Sequence, residues 1–159
     1  MLEAQTQAQS TSVTDEMENM YLTFTVGNEV YGIEIRHVIQ IVGMQEINEM
    51  PEMSACMKGF INLRGSVIPV VSMRLRFGNI EDEYTDRTCI IVVVVGEKEI
   101  GLIVDAIQET ITIEPESISS PPDTGEGKSI PYIRGIAQLQ NNGVSVLIDV
   151  QKLFVHEEY

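Results

Sequence analysis

The chain has 159 residues, with 24 acidic and 10 basic side chains, a formal net charge of -14 at pH 7 and an isoelectric point near 4.4. This acidic balance argues against a surface for nucleic acid or anionic lipid, because phosphate binding needs clustered Lys and Arg. Hydrophobic residues make up 43% of the chain, which is enough to bury a core. The length suits one ordinary domain or two very small ones.

Hydropathy and cysteine usage favour a cytoplasmic protein. The longest uninterrupted apolar run, Cys89–Val95, is far shorter than the roughly 20 residues that span a bilayer. The N-terminal residues lack the basic start and apolar stretch of a secretory signal. Cys56 and Cys89 form no CxxC pair, so they predict neither a disulfide framework nor a zinc set.

Residues 1–18 are rich in Gln, Ser, Thr and acids, and we expect a flexible tail before a folded domain at 19–157. β-Branched runs bounded by turn residues then predict many short strands. We expect strands at Tyr21–Val26, Val30–Ile35, Ile39–Val42, Phe60–Leu63, Ser66–Val71, Thr88–Val95, Glu99–Val104, Ile107–Ile113 and Val144–Ile148. Residues 43–57 and 114–129 have the turn residues of long loops, and 130–140 are ambiguous.

Two local signals refine these elements. Ser72 and Asp149 are good N-caps, and each precedes a predicted helical turn. Pro69 lies inside a predicted strand and offers no hydrogen-bond donor, so it predicts an edge or bulged strand there.

The two halves of the chain, at about 21–78 and 88–155, resemble each other. A shift of 69 residues places Tyr21–Gly27 on Ile90–Gly96 and Val38 on Ile107. With a longer loop absorbed, Lys58-Gly59 matches Arg134-Gly135, and Val70–Phe77 matches Leu147–Phe154. The order of hairpin, long loop, hairpin and capped turn repeats, which favours an internal duplication.

The duplication constrains the fold class. Short strands with regular turns and almost no long helix predict an all-β sandwich or barrel. Each half is small enough to be marginal alone, because a small domain buries too little of its surface. We therefore expect two small barrels that share one interface core and leave a groove at their seam.

Catalysis has little support in the sequence. His37 and His156 are far apart in the chain, and no HExxH, GxSxG or metal-spaced Cys/His cluster is present. Gly125-Glu-Gly-Lys-Ser129 ends like a phosphate-binding loop, but Pro122 stands where that motif needs its first glycine. We expect no cofactor and no metal, and no ATP binding at Lys128.

Two surface features leave alternatives open. Met44, Met50, Met53 and Met57 cluster in the first long loop, either tucked onto the core or at a binding surface to which methionine adapts. Arg64 stands at a turn before Gly65, either as a solvated turn residue or as an interface anchor, since arginine is enriched among interface hot spots.

One segment carries a family resemblance. Lys58–Arg74 resembles the signature G-x-x-N-L-R-G-x-V-x-P-V-x-D-L-R of the CheW family of bacterial chemotaxis coupling proteins. The matching positions are Gly59, Asn62, Leu63, Arg64, Gly65, Val67, Pro69, Val70 and Arg74. Tyr31–Ile35 before Val38, and Gly101–Asp105, also lie where that family has similar motifs. The resemblance extends from about Tyr21 to Phe154.

The resemblance implies two intertwined five-stranded SH3-like barrels with short helical turns and no enzyme activity. It implies an adaptor that couples chemoreceptor cytoplasmic tips to the histidine kinase CheA, placed in the cytoplasm at receptor arrays. The receptor tip, a helical hairpin, would lie in a groove, and the kinase would bind through its regulatory domain.

By the same resemblance, the candidate receptor- or kinase-binding residues are Val38, Gln40, Lys58, Gly59, Asn62, Arg64 and Gly101. The chain departs from the family at Gln40, where many relatives have Glu, and at Ser72-Met73, where the signature has Asp-Leu. The glutamine puts in doubt any salt bridge made there, whereas serine still caps a helical turn.

Three other interpretations have weaker support in the sequence. A CheV-like adaptor or a detached kinase regulatory domain has the same fold, but this chain is too short for the added domains of either whole protein. A nucleotide-binding enzyme that uses the Gly125–Ser129 loop lacks the first glycine and the catalytic bases. A nucleic-acid-binding barrel conflicts with the charge of -14.

Overall fold

The computed structural model describes residues 17–51, 54–121 and 130–154. Most of the predicted tail, Met53, the Gly125–Ser129 loop and His156 lie outside these ranges. The strands of the described part are β1 Met20–Val26, β2 Glu29–Glu34, β3 Val38–Gly43, β4 Met57–Leu63, β5 Ser66–Ser72, β6 Cys89–Val95, β7 Lys98–Val104, β8 Ala106–Thr112, β9 Ile133–Gln138 and β10 Val144–Ile148. Short helices α1 (Met73–Arg76) and α2 (Val150–Leu153) follow β5 and β10, and 3₁₀ turns occupy Ile35–His37 and Pro115–Ser117.

These elements agree with the strand pattern of the sequence, and the ambiguous stretch 130–140 contains β9. Both predicted caps are present. The Ser72 Oγ accepts a hydrogen bond from the Leu75 amide at 3.3 Å, and the Asp149 Oδ1 accepts one from the Gln151 amide at 3.0 Å. Each cap satisfies a backbone donor that the first turn of a helix leaves free.

The strands form two five-stranded sheets with the same internal order. Sheet 1 has the order β8-β1-β2-β10-β9, and sheet 2 has the order β3-β6-β7-β5-β4. The duplication matches these orders strand for strand, with β1 and β2 equivalent to β6 and β7, β3 to β8, and β4 and β5 to β9 and β10. Each sheet therefore takes strands from both sequence halves, and neither half forms a sheet of its own.

The exchange of strands rests on two parallel pairs. β2 pairs with β10, where Gly32 lies beside Leu147, and β7 pairs with β5, where Gly101 lies beside Val70. Both joints place a glycine against an aliphatic side chain: a Cβ on Gly32 would lie 2.9 Å from Leu147 Cδ2, and one on Gly101 would lie 2.8 Å from Val70 Cγ1. Real Cβ atoms do not approach carbon atoms so closely, so a larger residue at either joint would force the neighbouring side chains to shift.

The prediction for Pro69 is wrong. β5 has neighbours on both sides, and the register shift lies on its partner β4, between Met57 and Gly59. The pairing of β5 with β7 begins only at Val70, so the missing N–H of Pro69 removes no hydrogen bond on that side.

A shared core joins the two sheets, as predicted. It packs Leu22, Phe24 and Val26 of sheet 1 against Ile91, Val93 and Leu102 of sheet 2, with Val150 and Leu153 of α2. Separate cores lie inside sheet 2, around Ile61, Ile90 and Val92, and inside sheet 1, around Tyr21 and Leu147. β6 thus buries both of its faces, which is why Cys89–Val95 is continuously apolar.

Polar contacts also hold the sheets together. The duplication makes the contact between α1 and the β1–β2 turn equivalent to that between α2 and the β6–β7 turn, but different side chains make the two contacts. Asp105, just after β7, accepts hydrogen bonds from Arg74 of α1 and from the Gly27 amide in the β1–β2 turn. At the matching place Gln151 of α2 accepts a hydrogen bond from the Gly96 amide at 2.9 Å and donates one to the Val94 carbonyl at 2.8 Å. The Arg74–Asp105 ion pair in one half of the duplication is therefore replaced by the neutral side-chain amide of Gln151 in the other half.

Candidate functional site

The candidate residues implied by the family resemblance all belong to sheet 2 and its β4–β5 turn. Val38 and Gln40 lie on β3, Lys58, Gly59 and Asn62 on β4, Arg64 in the turn, and Gly101 on β7. β3 and β4 are the two edge strands of this sheet. The fold therefore places the candidates on one barrel, and their exposure separates surface groups from packing groups.

The β4–β5 hairpin tip presents exposed polar groups. Leu63 pairs with Ser66, so Arg64 and Gly65 form a two-residue turn. Both have positive φ, 53° and 88°, as a type I′ turn requires. The Asn62 Oδ1 accepts a hydrogen bond from the Gly65 amide at 3.0 Å. Asn62 and Arg64 are both exposed at this tip, which makes the tip available to a partner.

Gly59 and Gly101 are packing residues. Gly59 has φ 141°, and a Cβ there would collide with the Asn48 carbonyl oxygen. That close approach accompanies the β-bridge between Asn48 and Phe60, which ties the long loop to β4. Gly101 is buried and lies against Val70 and Ile90. Any effect of these glycines on a partner therefore passes through the shape of the barrel.

Lys58 lies half-buried on β4 and forms an ion pair with Glu81 of the acidic segment after α1, with N···O distances of 2.9 and 3.0 Å. The hydrogen bond to Glu81 raises the pKa of the Lys58 ammonium. The Lys58 charge is thus already partnered within the chain, and it pins the acidic segment to the edge of sheet 2.

The edge strand β3 exposes apolar side chains. Val38, Gln40 and Val42 alternate with Ile39 and Ile41, and the two isoleucines are 42% and 44% exposed. The polar Gln40 is thus less exposed than the two isoleucines, the reverse of a solvated strand. A register shift between Val38 and Gln40 breaks the alternation, so that Val38 packs against the shared core and Val42 against the core of sheet 2. Sequence reasoning missed Ile39 and Ile41, because alternation around one polar residue does not reveal which face is buried.

Val67 is a second exposed apolar residue that sequence reasoning did not select. It lies directly across the hairpin from Asn62 and is 66% exposed. Side chains of directly opposed residues project from the same face of a sheet. An apolar group therefore accompanies the polar groups at the hairpin tip, the combination found at protein interfaces.

The methionines of the first long loop divide between the two alternatives. Met57 is buried and belongs to the shared core, and Met44 packs against the core of sheet 2. Met50 is 53% exposed. Of the three methionines of this cluster that the structure describes, two are therefore packed and one is exposed.

A buried carboxylate holds two arginines near the start of β9. The Glu34 side chain is 4% exposed; its Oε1 binds Arg134 Nη1 at 2.6 Å and its Oε2 binds Arg36 Nε at 2.7 Å. Burial is the main cause that raises the pKa of the neighbouring Tyr21 phenol, and Arg134 opposes this effect. Buried carboxylates need such partners, so the cluster compensates the cost of desolvating Glu34.

The described ranges contain no group of three or more His, Cys, Asp or Glu side chains arranged to hold a metal ion. No helix in those ranges is long and apolar enough to cross a membrane. Burial raises the pKa of the Cys89 thiol, which disfavours its reactive thiolate.

Comparisons with known proteins agree with the fold. The family model described as CheW-like domain matches residues 20–158. The chain is 30% identical over 138 residues to the chemotaxis protein CheW of Klebsiella aerogenes, a match that covers 87% of this chain and 82% of that protein. It is 33% identical over 136 residues to the chemotaxis protein CheA of Treponema pallidum, covering 83% of this chain but 16% of that protein.

A solved structure matches as well. The scaffolding protein TtCheW from Thermoanaerobacter tengcongensis has a TM-score of 0.77 and 32% identity to this chain, over 86% of this chain and 92% of that one. Two five-stranded barrels that exchange strands define a protein of the double-barrel class. The chain belongs to the CheW family and is a chemotaxis coupling and scaffolding protein.

Proposed function

We propose that the chain couples the cytoplasmic helical hairpins of chemoreceptors to the regulatory domain of the histidine kinase CheA. The likeness to part of a CheA protein supports the kinase as a partner, because related double barrels present related surfaces. The proposed role needs no catalysis and no cofactor, and it places the protein in the cytoplasm at the receptor array.

The difference between the two equivalent edge strands carries this proposal. In β3 of sheet 2 the exposed side chains include Ile39 and Ile41, whereas the matching exposed positions in β8 of sheet 1 are Gln108 and Thr110. The duplication thus repeats the fold but not the surface. Two barrels with unlike exposed edges are suited to two unlike partners, since complementarity at the interface decides partner choice.

The test is a titration with a receptor cytoplasmic hairpin fragment and an isolated CheA regulatory domain. Each should bind the chain by calorimetry, and saturation with one should leave the dissociation constant of the other unchanged within about threefold, or roughly 0.65 kcal/mol. Ile41→Gln should weaken binding of one partner, and Thr110→Gln, at the matching place on the other edge, should leave the binding of that same partner unchanged. Competition between the two partners for one site would contradict the bridging role.

A further inference from the structure

The β9–β10 hairpin ends in a short loop that holds an asparagine in the left-handed region. Gln138 and Val144 form the last pair of the two strands. The Leu139 amide donates a hydrogen bond to the Gly143 carbonyl at 2.8 Å, and the Asn142 amide donates one to the Leu139 carbonyl at 3.2 Å. Asn142 has φ 66°. This is the pattern of a type I turn followed by a left-handed residue, a common three-residue hairpin loop.

Asn142 and Gly143 form a chemically reactive pair. The backbone nitrogen that follows an asparagine can attack the carbon of its side-chain amide, and glycine has no Cβ to hinder the approach. A nitrogen–carbon bond then forms, ammonia leaves and a five-membered imide remains. Water opens the imide at either carbonyl and leaves aspartate or isoaspartate. Asn142 is exposed to that water, and no other asparagine of the chain precedes a glycine.

The folded loop keeps the reacting atoms apart. In the left-handed conformation ψ is about +47°, which turns the next backbone nitrogen to the side opposite Cβ. Ring closure on Asn142 therefore requires a rotation that breaks the turn. In addition, the Gly143 amide donates a hydrogen bond to the Asn141 Oδ1 at 2.9 Å. The attacking nitrogen must lose this same proton, so the Asn141 side chain also opposes the reaction.

We propose that Asn142 is a latent modification site, which deamidates to aspartate and isoaspartate only when the β9–β10 turn opens, and that Asn141 keeps the turn closed. The inference goes beyond the proposed function, because the reaction needs only water and no partner. Aspartate would add a negative charge to a chain that already carries -14. Isoaspartate would add a carbon atom to the backbone, so the hydrogen bonds of the turn would no longer match.

The first experiment compares the full chain in its native state and unfolded in guanidinium chloride, both at neutral pH and the same temperature. Isoaspartate is measured with protein isoaspartyl methyltransferase and located by peptide mapping. It should form at Asn142 in both samples, but about tenfold or more slowly in the native one, because local opening limits the reaction there. Asn142→Gly is the control: glycine suits the left-handed position but has no amide, so no isoaspartate should form there.

The second experiment tests the role of Asn141. Asn141→Ala removes the acceptor of the Gly143 amide, so it should speed deamidation of the native chain several-fold and leave the unfolded chain unchanged. Hydrogen exchange of the Gly143 amide should accelerate by a similar factor, since both processes need the same opening. Asn141→Asp keeps an acceptor oxygen and should retain the native-to-unfolded ratio of rates seen in wild type.

Three results would overturn the inference. Absence of isoaspartate at Asn142 in the unfolded chain would show that the position is not a modification site. Equal rates in the native and unfolded chains would show that the turn does not control the reaction. Native deamidation that is unchanged by Asn141→Ala would remove the role of Asn141. None of these results depends on whether the chain binds a receptor or a kinase, so they are distinct from failure of the proposed function.

Discussion

Arg74 and Asp105 form a two-point ion pair, with Nε–Oδ1 at 2.8 Å and Nη2–Oδ2 at 2.7 Å. The same carboxylate accepts a hydrogen bond from the Gly27 amide at 2.8 Å, so it connects α1, the end of β7 and the β1–β2 turn. The hydrogen bond to Asp105 raises the pKa of the Arg74 guanidinium. This one carboxylate therefore joins an element of sheet 1 to elements of sheet 2.

We predict that Asp105→Ala lowers the free energy of unfolding by about 2 kcal/mol, because it leaves a guanidinium and a backbone amide without their acceptor. Asp82→Ala, in the exposed acidic segment, is the control and should change stability by less than about 0.5 kcal/mol. Urea unfolding of both variants measures the difference. Equal effects of the two substitutions would show that Asp105 does not join the sheets.

Gly101→Ala should act through packing. A Cβ at this position would lie 2.8 Å from both Val70 Cγ1 and Ile90 Cγ2, and such overpacking costs about 1–3 kcal/mol. Gly43→Ala is the control, because no heavy atom lies within 4 Å of its added Cβ. Addition of Val70→Ala should recover part of the stability lost in Gly101→Ala. If Gly101→Ala weakened partner binding at unchanged stability, Gly101 would be a contact residue.

Arg64→Ala should weaken coupling without unfolding the protein. Alanine has a Cβ like arginine, so the strain at positive φ remains and stability should change by only about 0.5 kcal/mol in either direction. Loss of the guanidinium at an interface should cost on the order of 2 kcal/mol in binding. Thermal melting and binding are compared with wild type side by side. A melting loss with normal binding would make Arg64 structural.

Alkaline pH should destabilise the fold through Tyr31. Burial, with a smaller effect of Glu29, raises the pKa of this phenol above its ordinary value near 10. The unfolded chain then loses this proton first, so the stabilisation is complete below about pH 10 and declines as pH rises toward the folded pKa. Tyr31→Phe retains the ring that stacks on Phe77 at 4.3 Å.

The measurement is urea unfolding of wild type and Tyr31→Phe between about pH 8 and pH 11.5, a range that spans the ordinary tyrosine pKa. The free energy of unfolding of the variant should fall less than that of wild type above pH 10, whereas near pH 8 it should depend on pH to the same extent in both proteins. Identical alkaline profiles would show that Tyr31 ionisation does not contribute.

Local signals in the sequence predicted the secondary-structure elements but not whether each candidate residue is a packing residue or a surface residue. Ser72 and Asp149 were predicted as caps because a side-chain oxygen bonds an amide only two or three residues away. The family resemblance selected Gly59, Gly101 and Arg64 alike. Whether such a residue packs inside the barrel or is exposed to solvent depends on neighbours distant in sequence, such as Asn48 beside Gly59 and Val70 beside Gly101.

The sequence by itself determined the short strands, the turns, the caps, the duplication and the family, since periodicity, turn chemistry and motif spacing are encoded within a few residues. Only the tertiary structure decided that β2 pairs with β10 and β7 with β5, so that each barrel takes strands from both halves. It also decided that Ile39, Ile41 and Val67 are exposed. Both outcomes depend on which apolar faces find partners across the whole chain, and burial of that kind is non-local.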